Sequence, residues 1–247
     1  MAGVSGIMQG AASRGAKGGV PLKLKDFVGT AQRLGWAKTN GCEWEGERIT
    51  CALAARGGHL EVLIWARGHG CPWDPRTCAR AAAGGHLEVL KWAREHDCPW
   101  NWLTCARAAE FGHLNVLKWA RAHACPWDSA TCAYAAASGQ LEVLRWSLEQ
   151  GCPRDEGTCS HAAKKGQLEA LKMAREYNCP WDYHTILDAR KNGHMEVVQW
   201  ALDNGCPQVL PGDEFEEESE EEDAEEVEDV MAWMAQMSNE TWFASTP

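Results

Sequence analysis

The chain reads as an all-α solenoid made of six consecutive helix pairs. A shared text begins at Thr50, Thr77, Thr104, Thr131, Thr158 and Thr185, a step of 27 residues without insertion or deletion. Within each copy two apolar stripes recur at helical spacing, separated by a glycine. Each copy then ends on Cys-Pro, which stops a helix. A fixed period of this size means units that bury their apolar faces on their neighbours. Catalytic domains rarely tolerate such regularity, so the pattern points to a binding surface rather than a reaction centre.

Residues 1–25 are rich in Gly, Ala and Ser, carry Arg14, Lys17, Lys23 and Lys25, and hold no acid. A flexible N-terminal arm is expected there; an organelle-targeting peptide is the weaker reading. Residues 26–49 form a partial, capping repeat. Trp36-Ala37, then Gly41-Cys42 and Trp44, mirror a second helix and its loop, two residues out of step.

The unit from Asp74 to Trp100 shows the local logic. Asp74 suits a helix N-cap and Pro75 the first helical position, where its missing N–H costs nothing. Thr77, Cys78, Ala79, Ala81 and Ala82 make a short, small-residue helix that permits close approach, and Gly84-Gly85 end it. A second helix is expected from about His86 to Glu95, with Leu87, Val89, Leu90, Trp92 and Ala93 as its apolar stripe. Before Cys-Pro stand Gly70, Gly151, Asn178 and Gly205, which accept a left-handed C-terminal conformation. Asp97 and Ala124 depart from that rule, and Ala124 is expected to be strained or differently ended. Helices this short need stacking to persist.

The text T-x-A-x-A-A followed by G-H-L-E-V-L-K-W-A-R resembles the ankyrin repeat, over residues 50–208. The usual 33-residue unit opens T-P-L-H-x-A; here Cys-Ala-x replaces Pro-Leu-His, and six residues are missing where ankyrin repeats carry a β-hairpin finger. The resemblance is to a short, finger-less, Cys-Pro-Trp-rich variant of the kind found in algal and protist arrays. It implies an ankyrin-like helix-pair solenoid of six repeats plus an N-terminal partial unit, acting as a non-catalytic protein-interaction scaffold or adaptor.

The twelve cysteines follow the repeat. One series is Cys51, Cys78, Cys105, Cys132 and Cys159; the other is Cys42, Cys71, Cys98, Cys125, Cys152, Cys179 and Cys206. Helices of adjacent units pack about 8–10 Å apart, too far for equivalent cysteines to bridge. Core thiols and a reducing, intracellular compartment, cytoplasmic or nuclear, are therefore expected. The tryptophans also form two series. Trp36, Trp65, Trp92, Trp119, Trp146 and Trp200 read as core filler, with Met173 as the replacement. Trp44, Trp73, Trp100, Trp127 and Trp181 lie in the loops, where Arg154 breaks the series.

Positions that vary among copies face outward. The fourth position reads Leu53, Arg80, Arg107, Tyr134, His161 and Asp188, and the residues after the loop include Trp102, Leu103, Tyr183 and His184. The candidate partner-binding strip is Leu53, Arg80, Trp102, Leu103, Arg107, Tyr134, His161 and Tyr183, rich in the types that dominate interfaces. The partner is an unidentified protein, and a monomer is expected.

Two other readings compete. Lys91, Lys118, Arg145 and Lys172, with Arg67, Arg94, Arg121 and Arg175, make a basic ladder that would suit a nucleic-acid-associated nuclear adaptor. Against it, Glu88, Glu142 and Glu169 stand three residues before a base and can neutralise it. A metal- or redox-responsive thiol array would use His69-Gly70-Cys71, His96-Asp97-Cys98 and His123-Ala124-Cys125. Each pair offers two ligands where a tetrahedral site needs four. The His of G-H-L (His59, His86, His113, His194) gives way to Gln140 and Gln167, which suits a structural hydrogen bond. No phosphate loop, nucleophile elbow, cofactor pattern or paired carboxylates appear, so no cofactor and no catalysis are expected. There is no apolar run of 18 residues to span a membrane.

The net charge of −11 belongs to the tail. From Val209 onward there are 14 acids and no Lys or Arg, so the remaining 21 acids face all 24 basic residues, a balance of +3. Residues 209–230 are expected to be an acidic, disordered linker. Residues 231–247 continue an amphipathic stripe of Val227, Val230, Met231, Met234 and Met237 beside Trp233, which would cap the stack or recruit a partner.

Overall fold

The structure, a computed structural model, describes residues 30–39 and 49–208. The N-terminal arm, Cys42 and Trp44, and the acidic tail with its amphipathic end lie outside the described residues. Among the described residues there are thirteen helices and no strand. Helix α1 (Ala31–Thr39) precedes six pairs. These are α2 (Ile49–Arg56) with α3 (Leu60–Gly68), α4 (Pro75–Ala83) with α5 (Leu87–Glu95), and α6 (Trp102–Glu110) with α7 (Leu114–Ala122). They continue with α8 (Ser129–Ala137) and α9 (Leu141–Glu149), α10 (Gly157–Lys164) and α11 (Leu168–Glu176), and α12 (Tyr183–Lys191) and α13 (Met195–Asp203).

The two rows of helices pack differently. The first helices α2, α4, α6, α8, α10 and α12 lie directly on one another, because their buried faces are Thr, Cys and Ala. Contacts between successive second helices are sparser, and larger side chains fill that space. Leu63, Leu90, Leu117, Leu144 and Leu171 are completely buried at one position of the second helix. Each such leucine contributes about 2–3 kcal/mol on burial. Helix α1 packs on α3 with Leu34 and Ala37 buried, as a second helix would.

The helix ends follow the sequence. Asp74 Oδ1 accepts the Arg76 N–H at 3.0 Å, and Asn101, Asp128 and Asp182 cap α6, α8 and α12 in the same way. Gly85 turns the chain between α4 and α5 at φ 73°, and a Cβ there would come within 2.7 Å of the His113 ring. At the far end of each second helix the residue before Cys-Pro takes the left-handed conformation. Gly70, Gly151 and Gly205 do so without cost, while Asp97, Ala124 and Asn178 have φ of 61°, 60° and 58°. Ala124 is thus strained and not differently ended. Its N–H still bonds Arg121 O at 3.1 Å and Cys125 N–H still bonds Ala120 O at 3.0 Å. An alanine held there costs on the order of 1 kcal/mol.

Candidate functional site

The varied fourth positions form a continuous row along the first helices. The Arg107 guanidinium on α6 lies 5.8 Å from the Tyr134 ring centroid on α8. The Tyr134 ring meets His161 on α10 edge-to-face at 6.4 Å. Arg107 also pairs with Glu110 at 2.7 Å, and His161 Nδ1 is 2.8 Å from Gly157 O. Leu53 and Arg80 occupy the same position on α2 and α4 and are half-buried. Arg56, one turn beyond Leu53, places its guanidinium 5.4 Å from the centroid of the Phe111 ring, two repeats on. Burial, followed by the Arg107 charge, lowers the Arg56 pKa.

Not every candidate joins this row. Trp102 and Tyr183 are the first residues of α6 and α12, as Pro75 is of α4. Five residues separate Trp102 from Arg107, which places it about 140° around the helix. Trp102 and Tyr183 therefore point away from the face of Arg107, although Trp102 is 39% exposed. Leu103 is one full turn before Arg107 and shares its face.

The second-helix face has a structural use that the sequence pattern did not disclose. Arg67, Arg94, Arg121 and Arg175 donate to the carbonyls of Cys71, Cys98, Cys125 and Cys179, the last residues before proline. The same guanidiniums lie 4.1, 4.3, 4.2 and 4.2 Å from the rings of Trp73, Trp100, Trp127 and Trp181. Each of these loop tryptophans packs edge-to-face on a tryptophan of the next repeat, at 5.9–6.0 Å: Trp92, Trp119, Trp146 and Trp200. Lys91 and Lys172 pair with Glu88 and Glu169 at 2.8 and 2.7 Å, and Lys118 lies 5.9 Å from the Trp146 ring. The spacing R-x5-W, with a second Trp 19 residues further on, was the signal available in the sequence.

The His-x-Cys pairs do not converge. His69, His96 and His123 turn outward, stack on Trp65, Trp92 and Trp119, and contact the carbonyls of those residues through Nδ1 at 2.8 Å. The neighbouring cysteines point into the core. Among the described residues no three His, Cys, Asp or Glu side chains gather as metal ligands. The G-H-L histidines act between repeats: His113 Nε2 is 3.1 Å from Ala83 O, and His86 bonds the Arg56 carbonyl. No helix among the described residues is long and apolar enough to cross a membrane.

All eleven described cysteines are buried free thiols. Burial pushes Cys159 up to about 12 and Cys206 up to about 11. What spacing did not show is that the two series can meet within a unit, as Cys51 and Cys71 do.

The described stack is similar to the crystal structure of human ASB11 ankyrin repeat domain, with 14% sequence identity and a TM-score of 0.49 over 64% of this chain and 84% of that one. The architecture is a stack of paired helices. Within it, Cys-Pro loops such as Cys71–Asp74 join helix to helix directly, with no strand. No protein-family model matches the chain, and no curated protein matches it.

Proposed function

We propose that this stack is a non-catalytic scaffold that binds protein partners through the varied row of its first helices, with Arg80, Leu103, Arg107, Tyr134 and His161 at its centre and Leu53 at one end. The observation that carries the proposal is the contact chain Arg107–Tyr134–His161, which runs across three successive repeats on a frame that otherwise repeats itself. A guanidinium beside aromatic rings suits a partner segment that presents carboxylates next to apolar side chains. No cofactor is needed for such a role. The nucleic-acid reading gains no support, because the arginines of its ladder already hold the Cys-Pro carbonyls and the loop tryptophans.

Capture from a native lysate, with the intact chain and with Arg107→Ala/Tyr134→Ala, tests the proposal. A protein retained by the intact chain and lost by the double variant, at equal melting temperature, is the expected result. Equal retention by both would place binding elsewhere. Retention abolished by modest salt in both would favour the basic ladder.

A further inference from the structure

Cys51 Sγ lies 2.7 Å from Cys71 Sγ, and both side chains are completely buried. Cys51 is on α2 and Cys71 is the residue after the left-handed turn that ends α3, so the contact joins the two ends of one repeat. In the next three repeats the equivalent cysteines also face one another, Cys78 with Cys98, Cys105 with Cys125 and Cys132 with Cys152, and the second of each pair raises the pKa of the first. There Cys98, Cys125 and Cys152 hydrogen-bond the carbonyls of Asp74, Asn101 and Asp128. The fifth unit keeps both cysteines, and the sixth has Ile186 in place of the first.

The geometry favours a bond between the sulfurs over a shared metal. A disulfide needs only two sulfurs already in contact with nothing between them, as these are. A zinc ion with bonds of about 2.3 Å would hold two thiolates roughly 3.8 Å apart and demand two more ligands. The described residues supply no such third group.

We propose that Cys51 and Cys71 form a redox-active dithiol which a hydroperoxide converts into a disulfide within the first repeat. Cys71 is the attacking sulfur. The hydrogen bond from Cys51 holds its thiol below the usual range against the opposing effect of burial, with Arg67 and Lys38 helping, while the same bond pushes Cys51 up. The Cys71 thiolate attacks the O–O bond of hydrogen peroxide and becomes a sulfenic acid as hydroxide leaves. The Cys51 sulfur then attacks the sulfenic sulfur; the S–S bond forms, the S–O bond breaks, and the Cys51 proton leaves with that oxygen as water. In sum, two thiols and one peroxide give one disulfide and two waters. Because both sulfurs are buried, the reaction proceeds through local opening of this repeat. The bond then ties α2, which carries Leu53 and Arg56, to the end of α3.

The test exposes the full reduced chain to hydrogen peroxide under native conditions, blocks remaining thiols, and maps peptides by mass without reduction. Met195, 60% exposed, reports the dose as its sulfoxide. A peptide pair joined through Cys51 and Cys71, lighter by two hydrogens, is expected, together with a melting temperature raised by several degrees and restored by dithiothreitol. Cys51→Ala should leave a sulfenic acid at Cys71 that dimedone traps. Free Cys51 and Cys71 at doses that fully oxidise Met195 would overturn the proposal. So would linkage between cysteines of different repeats, or linkage that appears only after unfolding. A stoichiometric metal whose removal is required for the reaction would overturn it as well. The wild-type map decides the matter even if the variant does not fold.

Discussion

The junction between the third and fourth repeats and the junction between the fourth and fifth occupy the same place in the architecture but are built differently. At the former, Arg121 holds the Cys125 carbonyl and covers Trp127, which packs on Trp146, while Asp128 caps α8. At the latter the equivalent residues are Leu148, Arg154 and Met173. Leu148 and Met173 are buried, and Arg154 is exposed. Asp155 no longer caps its own helix; it accepts a 2.5 Å hydrogen bond from Ser129 of the preceding repeat. Its Oδ1 is buried without a hydrogen-bond partner among the described residues, and α10 begins later, at Gly157. Along the chain Arg154 and Met173 look like two unrelated exceptions. In the fold they are one event, because loop and helix tryptophans are partners, and losing one removes the reason for the other.

In a solenoid the weakest interface sets where the stack opens. Trp127→Ala should have the largest effect, destabilising by about 2–3 kcal/mol through lost burial and ring contacts, measured by urea unfolding. Arg121→Ala should cost about 1–2 kcal/mol, since a charged hydrogen bond and a cation–π contact go together. Arg154→Ala should stay within about 0.5 kcal/mol, and equal costs at the two sites would abolish the distinction between the junctions. Grafting the common design with Leu148→Arg, Arg154→Trp and Met173→Trp should add about 1 kcal/mol and slow amide exchange in α10. Unchanged exchange there would show that the helix start at Gly157, rather than the missing clamp, governs opening.

Two smaller effects concern what all the junctions share. Thr50, Thr77, Thr104, Thr131, Thr158 and Thr185 are completely buried, and among the described residues their hydroxyls find no hydrogen-bonding N or O atom; Thr185 does meet the Cys206 thiol. Thr104→Val should therefore be neutral or slightly stabilising, by less than about 1 kcal/mol. A clear loss would reveal a bound water. The smallest effect is a pH dependence. Burial first, then the neighbouring His113 and His59, lowers the His86 pKa below 6.5 despite the bond to the Arg56 carbonyl. As pH falls through 6.5 the unfolded chain takes up the proton before the folded one, so stability is complete above that pH and declines below it. His86→Gln, which copies Gln140 and Gln167, should flatten the fall in melting temperature between pH 7 and 5.

Much of the fold was legible because it is local. Caps such as Asp74, left-handed ends such as Gly70, and the Leu87–Val89–Leu90 stripe each act within a few residues, and the 27-residue step repeats them six times. That the fourth positions share one face was legible for the same reason, because residues at one position of a fixed repeat share one side of their helices; whether that face binds a partner is for the capture experiment to decide. Trp102 and Tyr183 vary too, but they stand five residues before the fourth-position residue of their helices, and each residue turns a side chain by about 100°.

The sequence alone determined the number of repeats, the helix pairs and the residues that close each of them, since these follow from spacing and backbone preference. Only the tertiary structure decided which distant residues meet. It put Arg67 over Trp73 and Trp73 against Trp92, joined Arg154 to Met173 as one altered junction, and brought Cys51 to Cys71 across 20 residues. The physical reason is that periodicity fixes a direction around a helix, whereas contact depends on how closely neighbouring helices and loops approach, which no single repeat specifies.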